Sequence, residues 1–225
     1  MLTATPVFAN LIVNGSFETP TVPAGSFTNY LGGSSAITGW TVVGVDTSVT
    51  NATAVQNGIT FQAQDGIQWA DLSAVNSNSM TNGVTQSIST TISQLYEISF
   101  YVGSATDNGL FFPSIVDLSI DGGTRVSYTN PNAPTNMLDW RLFTVNFTAT
   151  NSTTNLTFFD GGASNNYLSG LDNVSVNAVP EPNTAVLGML GILVACCWRV
   201  KLRGRREWTA NRSLHCVGRT TVVSP

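Results

Sequence analysis

Eleven carboxylates lie between Asn10 and Ala178, and that stretch contains no histidine, cysteine or lysine. The inventory removes a Ser-His-Asp or Cys-His nucleophile, a Schiff-base lysine and a His-bearing catalytic zinc. Two kinds of chemistry remain. A carboxylate pair about 5 to 10 Å apart can hydrolyse a glycosidic bond, and oxygen ligands can hold a hard cation. Several of the acids sit at strand-turn junctions, where Asp is expected for turn formation alone.

Asp172 stands out by parity. It shares parity with Val174 and Val176, which predicts an inward-pointing carboxyl at the start of a strand. A buried carboxylate is costly without a partner, and only Arg125 and Arg141 precede residue 199. One solution is a structural calcium ion, with Asp172 and Glu18 as ligands and backbone carbonyls completing the shell. The other is a rim position paired with Arg141, which shares parity with Phe143 and Val145.

The aromatic residues offer a different chemistry. Trp40, Trp69, Trp140, Tyr101 and Tyr167 could stack on sugar rings while nearby Asn, Gln and Asp bond the hydroxyls. Trp40 and Trp140 read more readily as core. If Ala70 and Leu72 face the core, Trp69 and Asp71 face the other way, so Trp69, Asp71 and Tyr101 form the expected carbohydrate-binding set.

These residues must be positioned by strands. Tyr96, Ile98, Phe100 and Val102 alternate with polar neighbours, as do Val116, Leu118 and Ile120, and Phe143, Val145 and Phe147. Asp121-Gly122-Gly123 between two such runs signals a tight hairpin. Further strands are expected at 11–17, 37–43, 67–72, 84–90, 153–159 and 171–177. No stretch of 10–178 has a helical period, so the body reads as one all-β antiparallel sandwich or jelly roll.

Charge divides the chain. Residues 1–198 carry two basic against twelve acidic residues, net −10, and residues 199–225 carry seven basic against one acidic, net +6. The acidic body lacks the clustered Lys and Arg that nucleic acid requires, so no nucleic-acid partner is expected. The uncharged run Thr184 to Trp198 is followed at once by Arg199, Lys201, Arg203, Arg205 and Arg206. Extended over 184–202 by snorkelling side chains, it reads as one C-terminal transmembrane helix, with the C-terminus cytoplasmic and the body outside. At the other end, Val7-Phe8-Ala9 fits a signal-peptidase site, making 1–9 a signal-peptide remnant. Residues 207–225 are expected to be a disordered tail.

Several segments recur in a recognisable order: Asn10 to Glu18 (NLIVNGSFE), Gly39-Trp40, Asp65 to Leu72 (DGIQWADL), Val84 to Ile88, Tyr96 to Phe100, Trp140 with Phe143, and Leu171 to Val176 (LDNVSV). The series resembles the choice-of-anchor C family of bacterial surface proteins (domain-of-unknown-function 642-like) and its plant cell-wall relatives. The resemblance implies a galactose-binding-like jelly roll over 10–178, of a kind that often carries calcium between its terminal strands. Val179-Pro180-Glu181-Pro182, the apolar run and the Arg cluster together resemble a PEP-CTERM sorting signal over 179–206. That implies an exosortase-type processing enzyme as a partner. The expected protein is therefore exported, held at the cell surface or in the extracellular matrix, and bound to exopolysaccharide or cell-wall glycan. Two other readings stay open: a purely structural envelope protein, and a carboxylate-dependent glycoside-active enzyme.

Overall fold

A computed structural model describes residues 9–56, 58–74, 79–106, 113–132, 134–162 and 168–180. The expectations for 1–8, Tyr167, Glu181 and Pro182, the apolar run and the tail lie outside these residues. The chain divides into two units, Met1–Val179 and Pro180–Pro225, and the first holds every element described below.

Thirteen strands are present among the described residues, in chain order β1 (Phe27–Leu31), β2 (Thr41–Val43), β3 (Asp46–Asn51), β4 (Val55–Gln56), β5 (Ile59–Thr60), β6 (Gln68–Asp71), β7 (Gly83–Ser89), β8 (Leu95–Ser104), β9 (Ser114–Ile120), β10 (Val126–Asn130), β11 (Asp139–Thr148), β12 (Thr153–Asp160) and β13 (Gly170–Ala178). They form a six-stranded sheet, β1-β3-β6-β13-β8-β11, a five-stranded sheet, β10-β9-β12-β7-β2, and the small β4-β5 hairpin. The strand pairings are antiparallel. The period-two runs bury one face each, and the two inner faces meet in a core that includes Trp40, Ile98, Phe100, Val102, Leu118, Phe158, Leu171 and Val176. The expected antiparallel β-sandwich is observed.

The β9-β10 turn follows its sequence signal: Asp121 and Gly122 both have positive φ (51° and 70°), as a type I′ hairpin turn requires. Three expectations are corrected. Residues 11–17 form no strand, because Asn14 and Phe17 take positive φ and turn the chain. Two backbone bonds tie them to β13, Leu11 N–H to Val176 O and Val174 N–H to Gly15 O. The expected strand at 37–43 shrinks to Thr41–Val43. Strands β1 and β3 have little signal in the sequence, since FTNYL and DTSVTN carry few apolar residues.

The third correction concerns Asp172. A bulge interrupts the β13-β8 register between Asp172 and Ser175, where Asn173 has a φ of 49°. The extra residue reverses the alternation. Leu171, Val174 and Val176 face the main core, while Asp172, paired with Tyr101, faces the opposite side of the six-stranded sheet.

Candidate binding face and buried carboxylates

The outer face of the six-stranded sheet carries most of the residues that the sequence singled out. Trp69, Asp172, Tyr101 and Leu142 fall in one row across β6, β13, β8 and β11, and Asp71, Gly170, Gly103 and Trp140 fall in the next. The connection between β3 and β6 crosses part of this face. It forms a second core in which Trp69 packs with Ala54, Ile59, Phe61, Ala105, Leu138 and Leu168. Trp69 is therefore on the side its parity predicts, yet only 1% exposed. It is a buried anchor, with its indole N–H donated to the Phe61 carbonyl at 2.8 Å. The expectation of an exposed Trp69 platform is corrected, because the face beneath it is roofed.

Trp140 lies at the margin of that roof. A Cβ on Gly103 would meet its ring at 2.7 Å and one on Gly170 at 3.2 Å, so two glycines make room for the indole to lie on the sheet. Its N–H donates to the Gln62 carbonyl at 3.0 Å, and Trp69 meets it edge-on with centroids 5.8 Å apart. Trp140 and Tyr101 are each half-buried, and Leu142 beside them is 50% exposed. Gln62 and Gln64 border this strip on the connection, and Ser99, Thr144 and Ser175 continue it along the strands. The sequence offered Trp140 as a candidate ring and read it more readily as core, although Trp140 and Leu142 share parity opposite Phe143 and Val145.

Asp71 is not part of the strip. Its Oδ1 accepts the Ser73 N–H at 3.1 Å and the Ser73 hydroxyl at 2.6 Å. Burial pushes its carboxyl up to about 6, with a smaller push from nearby Asp160.

Glu18 and Asp172 both serve one turn, residues 64–68. Asp172 is fully buried. Its Oδ2 accepts N–H groups from Gln64 (2.8 Å) and Asp65 (3.0 Å), and its Oδ1 accepts the Asn173 N–H at 2.7 Å. Burial still dominates and raises its carboxyl to about 8, with Asp65 adding to the rise. Glu18 Oε1 accepts the N–H groups of Ile67 and Gln68, each at 2.8 Å. Gly66 is required there, for a Cβ would sit 2.3 Å from Glu18 Oε1.

Among the described residues, no three acidic, His or Cys side chains converge as a metal group. Three backbone N–H groups on Asp172 and two on Glu18 Oε1 take most of the acceptor sites a calcium shell would use, leaving Glu18 Oε2 and one site on Asp172 Oδ1. The alternative pairing with Arg141 is not made either. Arg141 reaches the Thr129 carbonyl at 3.4 Å and lies over the Phe143 ring.

Val179 and Pro180 follow β13. The Val179 N–H bonds Leu95 O at 2.9 Å, and Gln94 Nε2 donates to the Val179 carbonyl at 2.7 Å. The sequence Val179-Pro180-Glu181-Pro182 thus begins where the sandwich ends.

Fold and face define an all-β antiparallel sandwich whose outer sheet surface carries a half-buried aromatic strip. The chain belongs to the family described as "Protein of unknown function (DUF642)", which matches residues 10–177. No curated protein matches it. Among solved structures, similarity extends to the CBM22-1–CBM22-2 tandem domain of Paenibacillus barcinonensis Xyn10C, at 18% identity and a TM-score of 0.45, over 80% of this chain and 49% of that one. The chain thus spans about half the length of that tandem. TmCBM61 in complex with β-1,4-galactotriose is similar at 16% identity and a TM-score of 0.43, over 76% and 99% of the two chains. A structure titled "CBM4 structure and function" gives 19%, 0.40, and 75% and 99%.

Proposed function

We propose that the sandwich is a non-catalytic glycan-binding module and that the strip formed by Trp140, Tyr101 and Leu142 is its contact face. The observation that carries this reading is the setting of Trp140: two glycines make room for a half-buried indole beside Tyr101, with Gln62 and Gln64 along one side. Rings of this kind stack on the apolar faces of pyranoses, and amides and hydroxyls bond the hydroxyl groups. The absence of His, Cys and Lys from 10–178 leaves a carboxylate pair as the catalytic alternative to binding.

The rest of the reading concerns destination. Export, exosortase-type processing at Val179-Pro180-Glu181-Pro182 and transient anchoring through 184–202 are supported by the order of motif, apolar run and Arg cluster. Comparing the mature mass in cells with and without the exosortase tests the processing.

Retention of the full chain on insoluble exopolysaccharide and cell-wall polysaccharides tests the face. Tyr101→Ala should release the protein while leaving its melting temperature nearly unchanged, and Tyr101→Phe should be retained. One sugar-facing ring contributes on the order of 1 kcal/mol, so the loss should be about five- to tenfold in affinity. A wild-type chain that no polysaccharide retains, or a Tyr101→Ala chain retained as well as wild type, would refute the reading.

A further inference from the structure

One end of the main core is closed by polar side chains. Asp160, Ser104, Ser114, Ser169 and Asn130 are all fully buried there. Register and hydrogen bonds bring them together. Asp160 pairs with Val116, two residues along β9 from Ser114. Ser169 precedes Gly170, which pairs with Gly103, and so lies across from Ser104. Its hydroxyl bridges to Asp160 Oδ1 at 2.7 Å and to the Ile115 carbonyl at 2.9 Å. Asn130, opposite Ser114, donates to the Val102 carbonyl at 2.8 Å.

Within this cluster Asp160 Oδ2 and the hydroxyls of Ser104 and Ser114 have no hydrogen-bond partner among the described residues. All three are oxygens. A buried polar atom without a partner is costly, and more so when charged, so three at one end of the core call for an occupant. The two described arginines are engaged elsewhere: Arg125 lies 3.4 Å over the Phe159 ring and bonds the Met80 carbonyl, and Arg141 reaches Thr129. A water would satisfy the hydrogen bonds without pairing the charge of an ionised Asp160, whose carboxyl is pushed above its ordinary range by burial and by nearby Asp117.

We propose that this end of the sandwich binds a hard divalent cation of the calcium class, ligated by Asp160 Oδ2 and the hydroxyls of Ser104 and Ser114. Backbone carbonyls and water complete the shell, and Asp71 adds negative charge nearby. Calcium suits this better than magnesium, because its larger, irregular shell accepts hydroxyl and carbonyl oxygens, whereas magnesium keeps its own waters. With one carboxylate ligand, affinity should fall in the range of roughly 10⁻⁴ to 10⁻³ M typical of extracellular calcium modules. The proposal is independent of glycan binding. It also differs from the Glu18–Asp172 expectation, where the carboxylate oxygens already accept N–H groups.

The test is calcium titration calorimetry on the full chain, with melting curves in 10 mM calcium, 10 mM magnesium and chelator. Calcium should raise the wild-type melting temperature by roughly 3–10 °C, and magnesium should do less. Asp160→Asn should abolish the calcium shift. The double variant Ser104→Ala with Ser114→Ala should melt higher than wild type in chelator, having lost two orphan hydroxyls, and should lose most of the calcium shift. It decides the matter should Asp160→Asn fail to fold. Glu18→Gln and Asp172→Asn should keep the shift. A wild type indifferent to calcium, a serine double variant with the full shift, or a shift lost only in Asp172→Asn would overturn the proposal. The first of these outcomes would leave ordered water beside a protonated Asp160, and the last would move the cation to Glu18 and Asp172.

Discussion

Replacing Asp172 by Asn should change how stability depends on pH more than how much stability there is. The folded carboxyl titrates near 8 because it is buried, against 3.8 for a free Asp. The folded state therefore keeps a proton that the unfolded chain releases. The sign follows from linkage: this stability is complete below about pH 4 and is lost as pH rises toward 8. The gap between the folded and free carboxyl amounts to about 6 kcal/mol over the whole window, at about 1.36 kcal/mol per pH unit. Between pH 5 and 7 the loss should be about 2–3 kcal/mol by the same conversion. Asn cannot titrate. Its carbonyl can accept the Gln64 and Asp65 N–H groups, but its amide then opposes the Asn173 N–H, a pH-independent cost of about 1–3 kcal/mol. Urea denaturation of both chains at pH 5, 6, 7 and 8 should show Asp172→Asn less stable at pH 5, with the gap closing by about 2–3 kcal/mol at pH 7. Parallel curves would refute the reasoning, since they would mean that the N–H donors outweigh burial and hold Asp172 ionised throughout.

Trp69→Ala should cost about 3–5 kcal/mol by chemical denaturation, because Trp69 fills the second core; a loss below about 1 kcal/mol would restore the exposed platform. Asp71→Asn should remove a smaller part of the pH dependence, between about pH 4 and 6, since its folded carboxyl sits near 6; a wild-type-minus-variant difference constant across that window would rule this out. Gly15→Ala should destabilise by about 2 kcal/mol or more, because its Cβ would lie 2.0 Å from the Val174 carbonyl and break one of the two bonds joining residues 11–17 to β13; an unchanged melting curve would contradict it.

Alternation along a strand reports which side of a sheet a residue faces, and it served well wherever the ladder was regular. Ile98, Phe100 and Val102, or Leu156 and Phe158, were legible for that reason. Asp172 was misread because parity cannot be carried across a bulge, and nothing in LDNVSV other than the Asn at 173, a residue that tolerates positive φ, announces one. Trp69 was read on the correct side and still misassigned, since a side is not an exposure. What covers it is the β3–β6 connection, whose phenylalanine and isoleucine (Phe61 and Ile59) fold back over the sheet. That roof is a long-range event, fixed by bonds such as Thr60 N–H to Asn136 O, and local periodicity has no access to it. The same limit hid Asp160. It follows Phe158 in the inward row of β12, so alternation does place it inside. Its unsatisfied oxygen emerges only when Ser104 and Ser169 from the facing sheet close over it, and a binding site made of three strands' ends is a property of their meeting, not of any one strand's sequence.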